Sequence, residues 1–353
     1  MFSAPHPCRC DVLVAGGGPA GSAFAIAAAR RGASVLLVER DQPPFKKVCG
    51  EFLSHGGMEL WRKLTMAEPP AGAPRIARVR FFTHARAAAP IPIEPSAWGF
   101  SRAALDGGLL DAAARQGVFV RTGARLVAAQ PARDVTICEL AGAAGEERVE
   151  ARKVVVATGR PTGARRSSKL WIGRKAICPT VPLESADLDM LLLPMGGYVG
   201  VSPIETGEMS VCALSRDGGD AWLTHPALRG APVVIGRSVA GFRLGLQPLR
   251  ADAYCVGDAM AVWPPLVGDG ITAAMASGAA LGELLGQALA AGRELGIREW
   301  VRAWRRLFGS KLQWALALHA AAQCAVGRSA LLRLASASRS VGPWLIDRTR
   351  TAP

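Results

Sequence analysis

Three glycines and an acid carry the first recognisable chemistry of the chain. Gly16, Gly18 and Gly21 stand in the spacing G-x-G-x-x-G, after the apolar run DVLVA at 11–15 and before an Ala-rich, helix-type stretch that reaches Arg31. A second apolar run at 34–38 ends on Glu39, with Arg40 behind it. Strand, glycine turn, helix, strand and acid within about 30 residues is the context in which this spacing binds a dinucleotide. Gly16 permits the tight turn, Gly18 lets the backbone approach a pyrophosphate, and Gly21 lets helix and strand pack closely. Pro19 and Ala20 complete that turn, where unpaired N–H groups at the helix start face the phosphates. Glu39 suits both ribose hydroxyls and disfavours a 2′-phosphate. The spacing does not choose between a nicotinamide and a flavin.

Residues far down the chain bear on that choice. A buried-strand pattern at 253–256 leads into Gly257-Asp258, then Pro264-Pro265, then Gly268-Asp269-Gly270 opening a long Ala/Gly/Leu helix at Ile271. An acid at a strand's carboxyl end beside a second helix start is arranged to hold another hydroxyl-bearing part of a ligand anchored by the first turn. The partial positive charge of the helix start suits negative charge on a reduced isoalloxazine. Taken together, these residues resemble the flavoprotein superfamily of aromatic hydroxylases, flavin halogenases and geranylgeranyl reductases, over most of the chain to about Gly292. The resemblance implies FAD as cofactor, Asp258 as the ribityl-binding acid, and the backbone of Gly268, Gly270 and Ile271 against the flavin ring. It also implies that Arg102, at the start of a helical stretch reaching about Gln116, lies near the pyrophosphate and flavin. The loop Lys46-Lys47-Val48-Cys49-Gly50-Glu51 is similar to one carried by the reductases and halogenases. In the reductases it borders the flavin, so Cys49 is expected to line the pocket with Gly50 beside it; the alternative is a small buried thiol shaping a turn.

Two segments depart from the family pattern. After the strand at 153–157, Thr158-Gly159 keeps the turn but replaces the Asp that hydroxylases often carry for flavin and nicotinamide pyrophosphates. NAD(P)H as electron donor therefore stays open. Arg160, Arg165 and Arg166 suit its phosphates, and equally suit a solvated surface. Around Tyr198 and Gly200 the halogenases carry two tryptophans that this chain lacks, which argues against halogenation. The reductase pattern keeps Tyr198 and Pro203 but loses its Trp. Tyr198 is retained as a candidate catalytic residue with Cys49.

Of 353 residues 50% are hydrophobic and 20% charged, enough for a large core. The eight cysteines form no C-x-x-C pair and no secretory leader precedes them, which predicts a reduced, cytoplasmic compartment. No metal-ligand spacing or hydrolytic triad occurs, and no nucleic-acid motif accompanies the +14 charge. No apolar stretch is long enough to span a bilayer. From Arg293 onward eleven cations face three acids, while Trp300, Trp304, Leu307, Phe308 and Leu312 form one helical stripe. Packing against the body is expected, with weak membrane-surface contact or an acidic carrier protein as alternatives.

The expected fold is α/β: a Rossmann-like FAD domain (1–70, 97–175 and 245–292) interrupted by a mostly antiparallel substrate sheet (71–96 and 176–244), with a basic helical C-terminal segment (293–353). Three functions remain open. The first is oxidation or hydroxylation of a small apolar or aromatic, secondary-metabolite-type substrate, alone or fed by a separate flavin reductase. The second is reduction of carbon–carbon double bonds in a prenyl-like lipid. The third is a non-catalytic flavin-binding partner subunit.

Overall fold

The computed structural model describes residues 9–85, 87, 89–143, 145–160, 170–179, 187–216, 225–248, 250–337 and 341–351; Arg165 and Arg166 lie outside them. The two N-terminal apolar runs become β1 (Arg9–Ala15) and β2 (Val35–Glu39), joined through α1 (Pro19–Arg30). β2 is buried throughout and β1 nearly so, as uninterrupted apolar runs require when both faces of a parallel sheet are covered. They pair in parallel, flanked by β6 (Phe119–Thr122) and β9 (Gly145–Val156). β7 (Ala124–Ala132) and β8 (Val135–Gly142) continue from β9 as an antiparallel meander, and β16 (Tyr254–Cys255) pairs in parallel with the last two residues of β9. The order is β6-β2-β1-β9-β8-β7.

The second sheet runs β14-β10-β13-β12-β11-β4-β5-β3. Its strands are β3 (Phe52–Leu53), β4 (Arg75–Phe82), β5 (Ile91–Gly99), β10 (Trp171–Cys178), β11 (Leu188–Leu192), β12 (Tyr198–Pro203), β13 (Met209–Ser215) and β14 (Val234–Phe242). Only β11–β4 is parallel. A short ribbon joins β15 (Gly245–Leu246) to β17 (Ala261–Val262). The division of the chain differs from the expected boundaries in three places, the first being Ala97–Gly99, which are the last residues of β5 and so lie in the second sheet. β10 pairs along its length with β13 and β14, so Trp171–Lys175 sit in the second sheet rather than with the FAD domain. β3 likewise hydrogen-bonds to β5, carrying Phe52 and Leu53 across.

α1 and α3 (Arg102–Arg115) pack on the first sheet, while α2 (His55–Thr65) and α4 (Gly270–Ala290) pack against those helices, α2 also touching β5 of the second sheet. α1 and α4 approach closely because Gly278, Gly282 and Gly286 recur every four residues along one face of α4. A Cβ on Gly278 would fall 2.0 Å from Ala20 O, and one on Gly282 2.6 Å from Phe24 O. This stripe brings the N-termini of both helices to the same side of the molecule.

Beyond α4 come α5 (Ile297–Gln323), α6 (Ala325–Ala337) and α7 (Val341–Thr349). The expected stripe on α5 is core: Trp300, Trp304, Phe308 and Leu312 are buried, with the Trp300 indole N–H donating to Cys255 O at 2.9 Å. Leu307, taken as part of that stripe, instead points outward and is half exposed. Among the described residues no single helix is long and apolar enough to cross a membrane.

Candidate functional site

A cavity of about 570 Å³ lies between the two sheets. One end is the glycine turn. Gly16 has φ +111°, and a Cβ there would stand 2.3 Å from Ala157 O, so only glycine keeps the turn on the β1–β9 pair. α1 has no side-chain cap, and among the described residues the one neighbour within 4 Å of a Cβ on Gly18 is Arg102 Nη2, at 3.7 Å. Helix-start N–H groups, an open cradle and a guanidinium together have the chemistry that a diphosphate requires. Arg102 is fixed by a bidentate ion pair with buried Asp106, at 2.8 and 2.6 Å. Burial works against the Arg102 charge, but the Asp106 carboxylate outweighs it and holds the guanidinium above its ordinary range.

Glu39 Oε2 accepts the Gly17 N–H at 2.8 Å, and Oε1 accepts from Asp41 N and Lys47 Nζ, each at 3.0 Å. A carboxylate offers about four acceptor sites, so capacity remains on the cavity side for hydroxyl donors. Lys47 also pairs with Asp41, at 2.5 Å. Sequence reasoning gave this lysine no partner, although its place eight residues after Glu39 was a usable signal.

The other end is formed by Gly268, Gly270 and Ile271 at the start of α4 and by the Cys49 loop. Glu51, at φ +56° and buried, accepts the Arg102 backbone N–H at 2.8 Å and pairs with Lys175 of β10. Its Oε2 has no hydrogen-bond partner among the described residues. Ser202 of β12 donates to Gly50 O at 3.2 Å. The loop is thereby tied to the second sheet, and Cys49, Cys212 and Tyr198 share the cavity wall. Burial pushes the Cys212 thiol up to about 12 and the Tyr198 phenol well above its ordinary value. Both therefore keep their protons at neutral pH, and the Leu266 backbone N–H lies beside the Tyr198 hydroxyl.

Most of the residues expected from sequence meet here: Gly16, Gly18, Pro19, Ala20, Glu39, Cys49, Gly50, Arg102, Thr158, Gly159, Asp258, Gly268, Gly270 and Ile271 line the cavity. Arg40 lines it with a side chain that is 67% exposed, which places it at the rim. Gly21 and Gly257 do not line it. A Cβ on Gly21 would fall 1.9 Å from Gly16 O, and one on Gly257 2.7 Å from Ala20 Cβ, so both serve close packing. Arg160, suited by sequence equally to a nicotinamide phosphate and to a solvated surface, stands on the cavity wall, where it pairs with Asp258 at 2.9 Å, donates to Val48 O at 3.1 Å and lies over the Phe242 ring. The rest of the wall carries Lys47, Glu51, Arg125, Ser202 and Arg350 together with an apolar part that includes Leu318, Ala322, Leu332, Leu345 and Ile346 of α5–α7, which the sequence left outside the site.

A family model described as FAD dependent oxidoreductase matches residues 11–162, the stretch that holds the glycine turn, Glu39, the Cys49 loop and Arg102. The protein is an FAD-dependent oxidoreductase. This oxidoreductase is 27% identical over 339 residues to a menaquinone reductase of Mycobacterium tuberculosis, covering 85% of this chain and 80% of that protein. A 59-residue stretch is 46% identical to a menaquinone reductase of Mycolicibacterium smegmatis, covering 17% of this chain and 14% of that one. The fold is shared with a flavin-dependent brominase (TM-score 0.79, 21% identity, 97% of this chain and 94% of that one). It is shared equally with a geranylgeranyl bacteriochlorophyll reductase-like protein of Thermoplasma acidophilum (TM-score 0.79, 19% identity, 97% and 95%).

Behind the cavity wall of the oxidoreductase, His319 of α5 is buried edge-to-face against Trp171 and Tyr198, with neither ring nitrogen hydrogen-bonded among the described residues. Burial, with Arg216 adding to it, holds its pKa down to about 4. The unfolded imidazole titrates near 6.5, so between these values the unfolded chain binds the extra proton. Stability is full above about 6.5 and falls as the pH drops towards about 4, by about 2 kcal/mol for this residue at pH 5. Urea midpoints at pH 7 and pH 5 should show His319→Phe losing correspondingly less than the parent; equal losses would refute this origin.

Proposed function

We propose that the oxidoreductase reduces carbon–carbon double bonds in an apolar, prenyl-bearing substrate such as a prenylated quinone or prenyl lipid. The observation that carries this reading is the Cys49-Gly50-Glu51 loop, anchored to the second sheet through Lys175 and Ser202 and facing an apolar cavity that α5–α7 extend. The relation to menaquinone reductases supports it. In this reading the diphosphate of FAD lies at Gly16, Gly18 and Arg102, the ribose at Glu39, the ribityl chain at Asp258 and the ring at Gly268–Ile271. When bound and reduced, the flavin supplies a hydride equivalent. The chain itself has three tasks. Phe81, Met190, Leu192 and the α5–α7 residues, all on the cavity wall, exclude water and hold the alkene. Arg160 fixes Asp258. Tyr198, Cys49 and Cys212 are the thiol and phenol groups on that wall, and Tyr198 is the candidate to hand a proton to the second alkene carbon.

Hydroxylation of an apolar or aromatic substrate is the second reading, favoured by the same apolar wall. Reduced protein mixed anaerobically with a prenylated quinone or a geranylgeranyl lipid should yield product heavier by two hydrogens in its prenyl chain, a gain that reoxidation of a quinol ring in air does not reverse. Product appearing only with oxygen, heavier by one oxygen atom and with matching oxygen consumption, would replace reduction by hydroxylation.

A further inference from the structure

α4 begins on a buried charge. Asp269, its N-cap residue, is fully buried, yet its side chain caps no N–H of its own helix. Its Oδ1 accepts from Ser54 Oγ at 3.0 Å; its Oδ2 accepts from Thr351 N at 2.6 Å and Thr351 Oγ1 at 2.5 Å. Arg350 Nη1 stands 3.6 Å from Oδ1 and donates to Gly268 O at 3.0 Å, while its guanidinium lies over the Phe52 ring, 5.2 Å from the centroid. Phe52 in turn lies against Gly268, where a Cβ would be 2.9 Å away. Asp269 itself does not line the cavity. Arg350 does, beside Gly268, Gly270 and Ile271.

We propose that Arg350 and Thr351, which follow α7, latch the Gly268–Ile271 loop and that Arg350 supplies the positive charge that stabilises the reduced flavin there. A carboxylate buried beneath this loop opposes any negative charge arriving above it, because interactions between charges are strong where water is excluded. Arg350 is placed to offset that carboxylate, and its bond to Gly268 O fixes the backbone facing the ring end. Thr351 holds Asp269 from below through two donors, so the loop, the start of α4 and the segment after α7 move as one unit. Arg350 is a positioning residue for the loop and an electrostatic one for the flavin. The inference rests on the ring end lying at Gly268–Ile271.

The test compares oxidised and reduced cofactor. FAD affinity is measured by fluorescence titration, and the midpoint potential of bound against free FAD then yields the affinity for the reduced form. Arg350→Met should weaken reduced FAD at least tenfold more than oxidised FAD, and Arg350→Lys should stay close to the parent. Asp269→Asn should shift the ratio the opposite way, favouring reduced FAD. Loss of a purely structural contact weakens both redox states alike, so equal weakening in Arg350→Met overturns the proposal, as do shifts of the same sign in the two variants. If Arg350→Met does not fold, Asp269→Asn decides: an unchanged ratio overturns the proposal. The unsubstituted protein is titrated in parallel, so failure to bind FAD at all is read separately as failure of the cofactor placement.

Discussion

Replacing Gly16 by valine is expected to leave a protein that takes up FAD at least a hundredfold more weakly, about 2.7 kcal/mol in binding free energy. The new Cβ alone would sit 2.3 Å from Ala157 O and 2.6 Å from Ala157 C, both backbone atoms of the segment that continues β9. That segment cannot retreat, because Ala157 N–H donates to Ala15 O at 2.8 Å and Val156 pairs in register with Ala15. The φ of +111° adds strain for a β-branched residue. The turn must therefore shift, and the N–H groups at the start of α1 lose their aim. Gly32→Ala is the control: it also has positive φ, at +85°, but no atom lies within 4 Å of its Cβ. It should lose about 1 kcal/mol of stability and bind FAD normally. Fluorescence titration and thermal melts of both variants check this, and undiminished FAD binding by the valine variant would show that the turn does not hold the cofactor.

Arg102→Met should destabilise the protein by about 3–5 kcal/mol, the usual cost of leaving a buried charge without its partner. The charge is Asp106, 1% exposed, whose two oxygens are both held by the Arg102 fork. The double variant Arg102→Met/Asp106→Leu should recover most of that loss, because it removes both charges together. It should not recover FAD binding, since the cation beside Gly18 is gone. Denaturant unfolding and FAD titration on the three proteins separate the two effects. A double variant no more stable than Arg102→Met would mean that the pair is not what stabilises this helix start.

The first forty residues could be read closely because every signal there is local: a strand, a glycine spacing, a helix and an acid, each within a few turns of the next. Arg102 was legible for a similar reason, standing at the head of its helix four residues before Asp106. What escaped was non-local. Arg160 stayed open between a phosphate contact and a solvated surface because its partners, Asp258 and Val48, are 98 and 112 residues away in the chain. Asp269 looked like part of a glycine turn, while Arg350 and Thr351, which hold it, come 82 residues or so later. The contribution of α5–α7 to the cavity was invisible because an apolar stripe says that a face is buried, not what it is buried against. The edge of β10 was misplaced for the related reason that an apolar strand carries no mark of the sheet it will join. The Gly278-Gly282-Gly286 stripe was readable in principle, since spacing of four places small residues on one helix face.

The central claim is that FAD stretches from the glycine turn of α1 to the start of α4 across the cavity between the two sheets. Its most direct test is titration of the cofactor-free protein with FAD, in the absence and presence of ADP. The account predicts one FAD per chain, with ADP competing because it occupies the diphosphate and ribose positions at Gly18, Arg102 and Glu39. A folded protein that stays colourless with excess FAD, or that binds FAD with an affinity unmoved by ADP, would contradict it.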